Sequence, residues 1–262
     1  PPVIVDTSIT SGSPIRFGAT AVPLEVYTQE PAQCKWSRTS KPYDDMENRF
    51  TCATSPTQLN GDLSYTCAGN MTGVLDRAEN QFYLRCQDYA NNTMAQSYPF
   101  VLKGSQPLTI LESSPNGTLY GATTTVPVTL GVKTDAGAEA GKASCYYSAP
   151  ATLGEPIKFF ATESFTHSQQ VDVTAGFHTY NLLCIDAGGN TVNQTVNFTM
   201  IIDQQAPRVT RVYREEALKV VTNEAAECTY SLQGCTFGVD EGIKMQYTRP
   251  DIQNQHFVDW KS

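Results

Sequence analysis

The chain has 262 residues, 40% hydrophobic and 17% charged, with 15 Pro, 18 Gly, 8 Cys, net charge −8 and pI near 4.9. The charged fraction is low beside the ~25% of an ordinary soluble domain. The acidic balance argues against a nucleic-acid binder, which carries a basic face, and against docking on anionic lipid. No apolar run approaches the ~20 residues that span a bilayer. Opening at Pro1-Pro2-Val3, where a domain begins, the chain reads as an internal segment of a longer protein, so missing targeting signals say little.

In chain order, Val3 to Ile9 alternates after a Pro-Pro and predicts an edge strand. Pro14 to Thr28 predicts two strand pieces broken at Pro23. Cys34 and Trp36 share a face, which places Trp36 in the core. Lys41 to Gly73 is long, polar and irregular and reads as an elaborated loop or added hairpin. Phe82 to Asp88 is a main strand and Met94 to Lys103 closes the domain. The plan then repeats: Leu108 to Leu111, Val126 to Lys133, a flexible insertion at Asp135 to Lys142, one or two strands in Phe159 to Val173, a main strand from Gly176 to Asp186, and Val192 to Ile202. Val209 to Tyr213, Leu218 to Thr222 and Glu227 to Ser231 are the last predicted strands. No amphipathic helix of three turns is visible. Short strands with frequent turn signals predict an all-β chain of sandwiches.

Internal repeats fix the domain count. FYLRCQDYANNT (Phe82 to Thr93) matches YNLLCIDAGGNT (Tyr180 to Thr191), with Cys86-x-Asp88 on Cys184-x-Asp186. A second phrase, C-x-aromatic-S, occurs three times, at Cys34, Cys145 and Cys228. VYTQEPAQ before Cys34 matches VVTNEAAE before Cys228. Three openings with two endings predict complete domains at 1–103 and 104–203 and the first part of a third at 204–262.

Cysteine usage points to an oxidising compartment. The second domain contains only Cys145 and Cys184, which predicts their pairing; analogy then pairs Cys34 with Cys86 and leaves Cys52 with Cys67. Each bridge closes a loop worth about 3–4 kcal/mol in the loop-entropy account. Cys228 and Cys235 either pair with each other or seek partners past Ser262. Zinc is the rival use of eight thiols, but no C-x2-C or C-x4-C pair exists. Five N-x-S/T sequons (Asn70, Asn91, Asn116, Asn193 and Asn197) are candidate glycosylation sites in a secreted protein.

Thr222-x-Glu224-x-Ala226-x-Cys228-x-Tyr230-Ser231 and Tyr180, Cys184, Asp186, Gly189 and Asn190 give this chain its resemblance to a family. The pattern is similar to the immunoglobulin-like or fibronectin type III-like tandem repeats of large bacterial and archaeal cell-surface proteins. The resemblance implies tandem β-sandwiches used extracellularly as stalks, filaments, surface layers or adhesins, and Tyr180 as a corner tyrosine where the first domain has Phe82. It implies no single function, since a fold does not fix one.

Catalysis is not expected. Only His167, His178 and His256 are available, and no nucleophile elbow, H-E-x-x-H motif or phosphate loop is present. Asp88 and Asp186 are weak calcium candidates, but one Asp per turn falls short of the six to eight oxygens calcium takes, and an Asx-type turn accounts for each. No cofactor is expected otherwise. Two functional classes follow: a structural segment of a surface filament, stalk or layer that touches copies of itself or neighbouring domains, or an adhesin or carbohydrate-binding segment. The structural class is favoured, because Trp36, Tyr147 and Tyr230 are expected in the core rather than on a glycan platform. An incomplete third domain leaves open a strand donated by a neighbouring subunit.

Overall fold

The computed structural model describes residues 1–149 and 155–259. It divides into two compact units, Pro1–Ile202 and Asp203–Ser262. The first unit holds two separate hydrophobic cores, one built from Ile4 to Leu102 and one from Leu108 to Met200.

The first sandwich contains β1 (Ile4–Thr7), β2 (Pro14–Ile15), β3 (Ala21–Thr28), β4 (Ala32–Ser37), β5 (Asn48–Arg49), β6 (Thr51–Cys52), β7 (Tyr65–Thr72), β8 (Glu79–Asp88) and β9 (Tyr98–Gly104). One sheet runs β1-β3-β7-β6 and the other β2-β9-β8-β4-β5. These are the A-B-E-D and A′-G-F-C-C′ orders of an immunoglobulin-like sandwich. Alternation drives the packing: Val22, Leu24, Val26 and Thr28 of β3 and Phe82, Leu84 and Cys86 of β8 all point inward.

One expectation fails here and another is met in part. Pro23 does not break a strand. It lies inside β3 opposite Asn70, at a stretch where β1, which pairs only from Val26 onward, does not line the other side. A proline is tolerated where no ladder partner needs its N–H. Of the two readings of Lys41 to Gly73 the hairpin holds, β6 against β7 closed by Cys52–Cys67, but it is no addition to the sheet. It supplies β5, β6 and the eight-residue β7, a central strand of the first sheet. Its polar text, YTCAGNMT, hides a strand whose inward residues are only Cys67 and Met71. The segment also covers β4: the Lys35 ammonium donates to the Tyr43 carbonyl at 3.2 Å and lies over the Tyr43 ring.

The second sandwich contains β10 (Leu108–Ser114), β11 (Gly117–Gly121), β12 (Val126–Ala136), β13 (Ala143–Ser148), β14 (Ile157–Lys158), β15 (Thr166–Val173), β16 (Gly176–Asp186) and β17 (Thr191–Ile202). Its sheets run β10-β12-β15 and β11-β17-β16-β13-β14. Asp135 to Lys142 is no flexible insertion: β12 continues to Ala136, and the turn after it is tied down, with the Gly137 N–H on the Pro107 carbonyl. Tyr180 is no corner residue either. It sits within β16, its ring stacked on Phe198 and tilted against Tyr147.

The second unit contains β18 (Val209–Arg214), β19 (Leu218–Thr222), β20 (Thr229–Tyr230), β21 (Ile243–Lys244), β22 (Gln246–Arg249) and β23 (Ile252–Val258). Its larger sheet, β18-β19-β23-β22, reproduces the order of β1-β3-β7-β6. The second sheet, among the described residues, is the pair β20-β21.

Candidate functional site

The turn between β16 and β17 organises the first unit. Asp186, nearly buried, collects four N–H groups on its carboxylate. Oδ1 accepts from Gly188 N and Asn190 N, both at 2.9 Å, and Oδ2 from Ala138 N at 2.7 Å and Asn190 Nδ2 at 2.8 Å. Gly189 takes the left-handed φ of 81° that lets the chain reverse. This frame aims Asn190, 5% exposed, at the first sandwich. Its Oδ1 accepts the Phe17 N–H at 2.7 Å, and its Nδ2 donates to Ser105 Oγ at 2.9 Å. The backbones approach closely: a Cβ on Gly188 would lie 3.2 Å from the Ile15 carbonyl oxygen and 3.1 Å from Ala138 Cβ. One amide side chain therefore joins the two sandwiches.

The first sandwich carries the same turn. Asp88 Oδ1 accepts from Ala90 N and Asn92 N, and Oδ2 from Asn92 Nδ2, all at 2.8 Å. The Asn92 hydrogen bond is the leading cause of an Asp88 carboxyl held below its ordinary pKa. Asn91, with φ 65°, replaces Gly189, and residues 89–92 of the turn are exposed, with Asp88 half-buried. Both calcium candidates thus have carboxylates engaged by N–H donors of an Asx-type turn.

Three disulfides join Cys34 to Cys86, Cys52 to Cys67 and Cys145 to Cys184. Each links residues directly opposite one another on adjacent strands of one sheet, β4–β8, β6–β7 and β13–β16, rather than bridging the two sheets. The carbonyls of Cys34 and Cys145 face away from their partners and accept N–H groups from Phe50 at 3.0 Å and Phe159 at 2.9 Å. The two bridges of the first sandwich meet in its core, with the sulfurs of Cys34, Cys52 and Cys67 within 4.8 Å of one another. Among the described residues this is the one convergent group of His, Cys, Asp and Glu side chains, and all three are bonded cysteines. Cys228 is half-buried and Cys235 exposed, and both are free.

The histidines serve three different roles. His167, 1% exposed, bonds Thr134 Oγ1 through Nε2 and Thr162 Oγ1 through Nδ1, both at 2.9 Å. Thr134 donates to the Gly141 carbonyl, so it accepts the His167 Nε2–H, and burial pushes the imidazole pKa down. His178 bonds the Thr174 carbonyl and stacks on Phe198. His256 is fully buried with both ring nitrogens unpartnered.

All five sequon asparagines are exposed. Asn116 Nδ2 donates to the Ser113 carbonyl at 2.8 Å, and Asn197 Oδ1 accepts from Thr179 Oγ1 at 2.9 Å. Sequence reasoning missed the outward aromatics. Tyr120 (76% exposed) and Phe177 (70%) stand on the outer face of β11-β17-β16, opposite Ile201 and Thr199. Alternation with the inward Phe198 and Met200 is the signal that would have found them.

No family model and no curated protein matches the chain. Among solved structures, the fibronectin(III)-like modules of Clostridium thermocellum CbhA are 10% identical, covering 76% of this chain and 93% of theirs, with a TM-score of 0.44. The I67–I69 fragment of the titin I-band is 11% identical over 100% of this chain and 89% of that one, with a TM-score of 0.40. The tandem Ig repeats of Dlar are 12% identical over 78% and 99%, with a TM-score of 0.26. The sheet orders described above carry the fold assignment independently of these likenesses.

Proposed function

We propose that the chain is a non-catalytic, extracellular spacer: a segment of a cell-surface filament, stalk or layer built from tandem immunoglobulin-like sandwiches. The observation that supports it most is the junction at Asn190. A side chain with 5% exposure is committed to holding one sandwich against the next, and fixed spacing is what a load-bearing or layer-forming segment needs. Three disulfides within 262 residues support an oxidising compartment. Five exposed sequons fit the same setting, and the partners in this reading are neighbouring domains and further copies of the chain.

A second reading, an adhesin or carbohydrate-binding segment, is favoured by one observation: Tyr120 and Phe177 present exposed rings on one sheet face, the kind of surface on which sugars stack. Electron microscopy of the native, unreduced protein separates the two. Regular filaments or sheets with a repeat matching the domain string are expected for the spacer; isolated particles that bind cell-wall polysaccharide, and lose binding in Phe177→Ala, would overturn it. Intact mass before and after enzymatic deglycosylation tests the sequons, with a loss of at least one glycan mass expected.

A further inference from the structure

Among the described residues the second unit has the first sheet of a sandwich and, of the second, only the pair β20-β21, with no strand on the other flank of β20. We propose that Cys228 is the anchor point for a β-hairpin from polypeptide outside these 262 residues. Its first strand bears a cysteine that pairs opposite Cys228 and forms a disulfide with it by thiol–disulfide exchange, a donor disulfide of the oxidising compartment taking the two electrons and leaving as two thiols. The inference holds whichever reading of the function is right.

The equivalence rests on three matching hydrogen bonds. The Phe50 N–H donates to the Cys34 carbonyl, the Phe159 N–H to the Cys145 carbonyl, and the Met245 N–H to the Cys228 carbonyl, at 3.0, 2.9 and 2.9 Å. The cysteine therefore has one backbone environment in all three domains. In the first two, its other flank lies against a strand whose cysteine stands directly opposite: Cys34 on Cys86 and Cys145 on Cys184. Both sulfurs are bonded there; the Cys228 sulfur is free.

A second observation comes from the facing sheet. Val220 aligns with Val26 in the VVTNEAAEC and VYTQEPAQC phrases. Val26 pairs with Cys67, and Val220 pairs with His256. His256 thus takes the position of Cys67, whose sulfur lies within 4.8 Å of the Cys34 sulfur. It is fully buried, has neither ring nitrogen bonded, and by this alignment belongs to the sheet face on which Cys67 lies against Cys34 in the first sandwich. Buried polar groups are normally satisfied; a strand that displaces what now covers the ring, the Tyr247 side included, would bring it a partner.

A second copy of this chain does not fit. The two hairpins of the right kind, β8–β9 and β16–β17, are already paired to β4 and β13 with their cysteines bonded. The register specifies the occupant further. Ala32 lies opposite Asp88 and Ala143 opposite Asp186, so Ala226 should meet an Asp two residues after the incoming cysteine.

The test uses the intact chain and, as surrogate hairpin, a synthetic peptide of its own residues 176–202, whose single cysteine is activated as the thionitrobenzoate disulfide. The Cys228 thiolate attacks the peptide Cys184 sulfur, the new S–S bond forms, and thionitrobenzoate leaves with its electron pair. A small aromatic disulfide should modify exposed Cys235 first. The hairpin peptide should instead modify Cys228 about tenfold or more ahead of Cys235, because pairing raises the local concentration of the reacting sulfur. Peptide mass mapping reads the site. Attack at Cys235 first with both reagents would overturn the proposal. So would a preference for Cys228 shared by a scrambled peptide, since reactivity alone would then explain it.

Discussion

Replacing Asn190 by Ala should uncouple the two sandwiches while leaving each folded. At the junction the side chain makes one bond to the first sandwich, from the Phe17 N–H, and one to the connecting segment, to Ser105 Oγ; a third, to Asp186 Oδ2, stays within its own turn. At about 1 kcal/mol for each net hydrogen bond, the junction loses about 2 kcal/mol. The matching substitution Asn92→Ala removes only the turn bond to Asp88, so the difference between the variants isolates the junction. About 2 kcal/mol corresponds to roughly 30-fold in an opening equilibrium. Amide hydrogen exchange at Phe17 should accelerate by that order in Asn190→Ala and stay near wild type in Asn92→Ala. Residual dipolar couplings should show the two sandwiches reorienting independently in the first variant alone. Phe17 exchange within a factor of about three of wild type, or equal effects from both variants, would refute the assignment of Asn190 as the link.

Other substitutions probe the interior. His167 is held neutral by burial, with its pKa below the ordinary 6.5. Above that value both folded and unfolded forms are neutral; as pH falls through it, the unfolded chain takes the proton first and stability declines, by up to about 1.4 kcal/mol per pH unit. Urea unfolding at pH 7.5 and 5.0 should show a smaller pH dependence in His167→Gln than in wild type, and identical slopes would contradict the reading. The double substitution Cys145→Ala, Cys184→Ala opens a link across 39 residues and should lower second-sandwich stability by about 4 kcal/mol, measured by urea unfolding against wild type. Gly104→Ala should cost about 2–3 kcal/mol, because its Cβ would fall 2.0 Å from the Leu75 carbonyl oxygen, and backbone on both sides must shift; calorimetry reads it as a lowered Tm.

The sequence by itself determined what local pattern and repetition encode. Alternation in LEVY and in FYLRC places Leu24, Val26, Phe82 and Leu84 inward before any partner strand is known. The repeated C-x-aromatic-S and C-x-D phrases align strands across domains because each copy solves the same packing problem. Tertiary structure decided the rest. YTCAGNMT reads as part of a loop or an added hairpin because a strand with two inward residues has little alternation, and only its pairing with β3 makes it central. Pro23 reads as a break until the end of β1 shows that no neighbour needs its N–H. Asp186 and Asp88 stand in the same phrase and make the same turn, yet one turn is buried at a junction and the other exposed. That difference lies in Gly188, where Ala90 stands in the other copy, and in the placement of Phe17 and Ser105, 173 and 85 positions away from Asn190. Local chemistry sets the shape of a turn, while contacts distant in sequence decide what it touches.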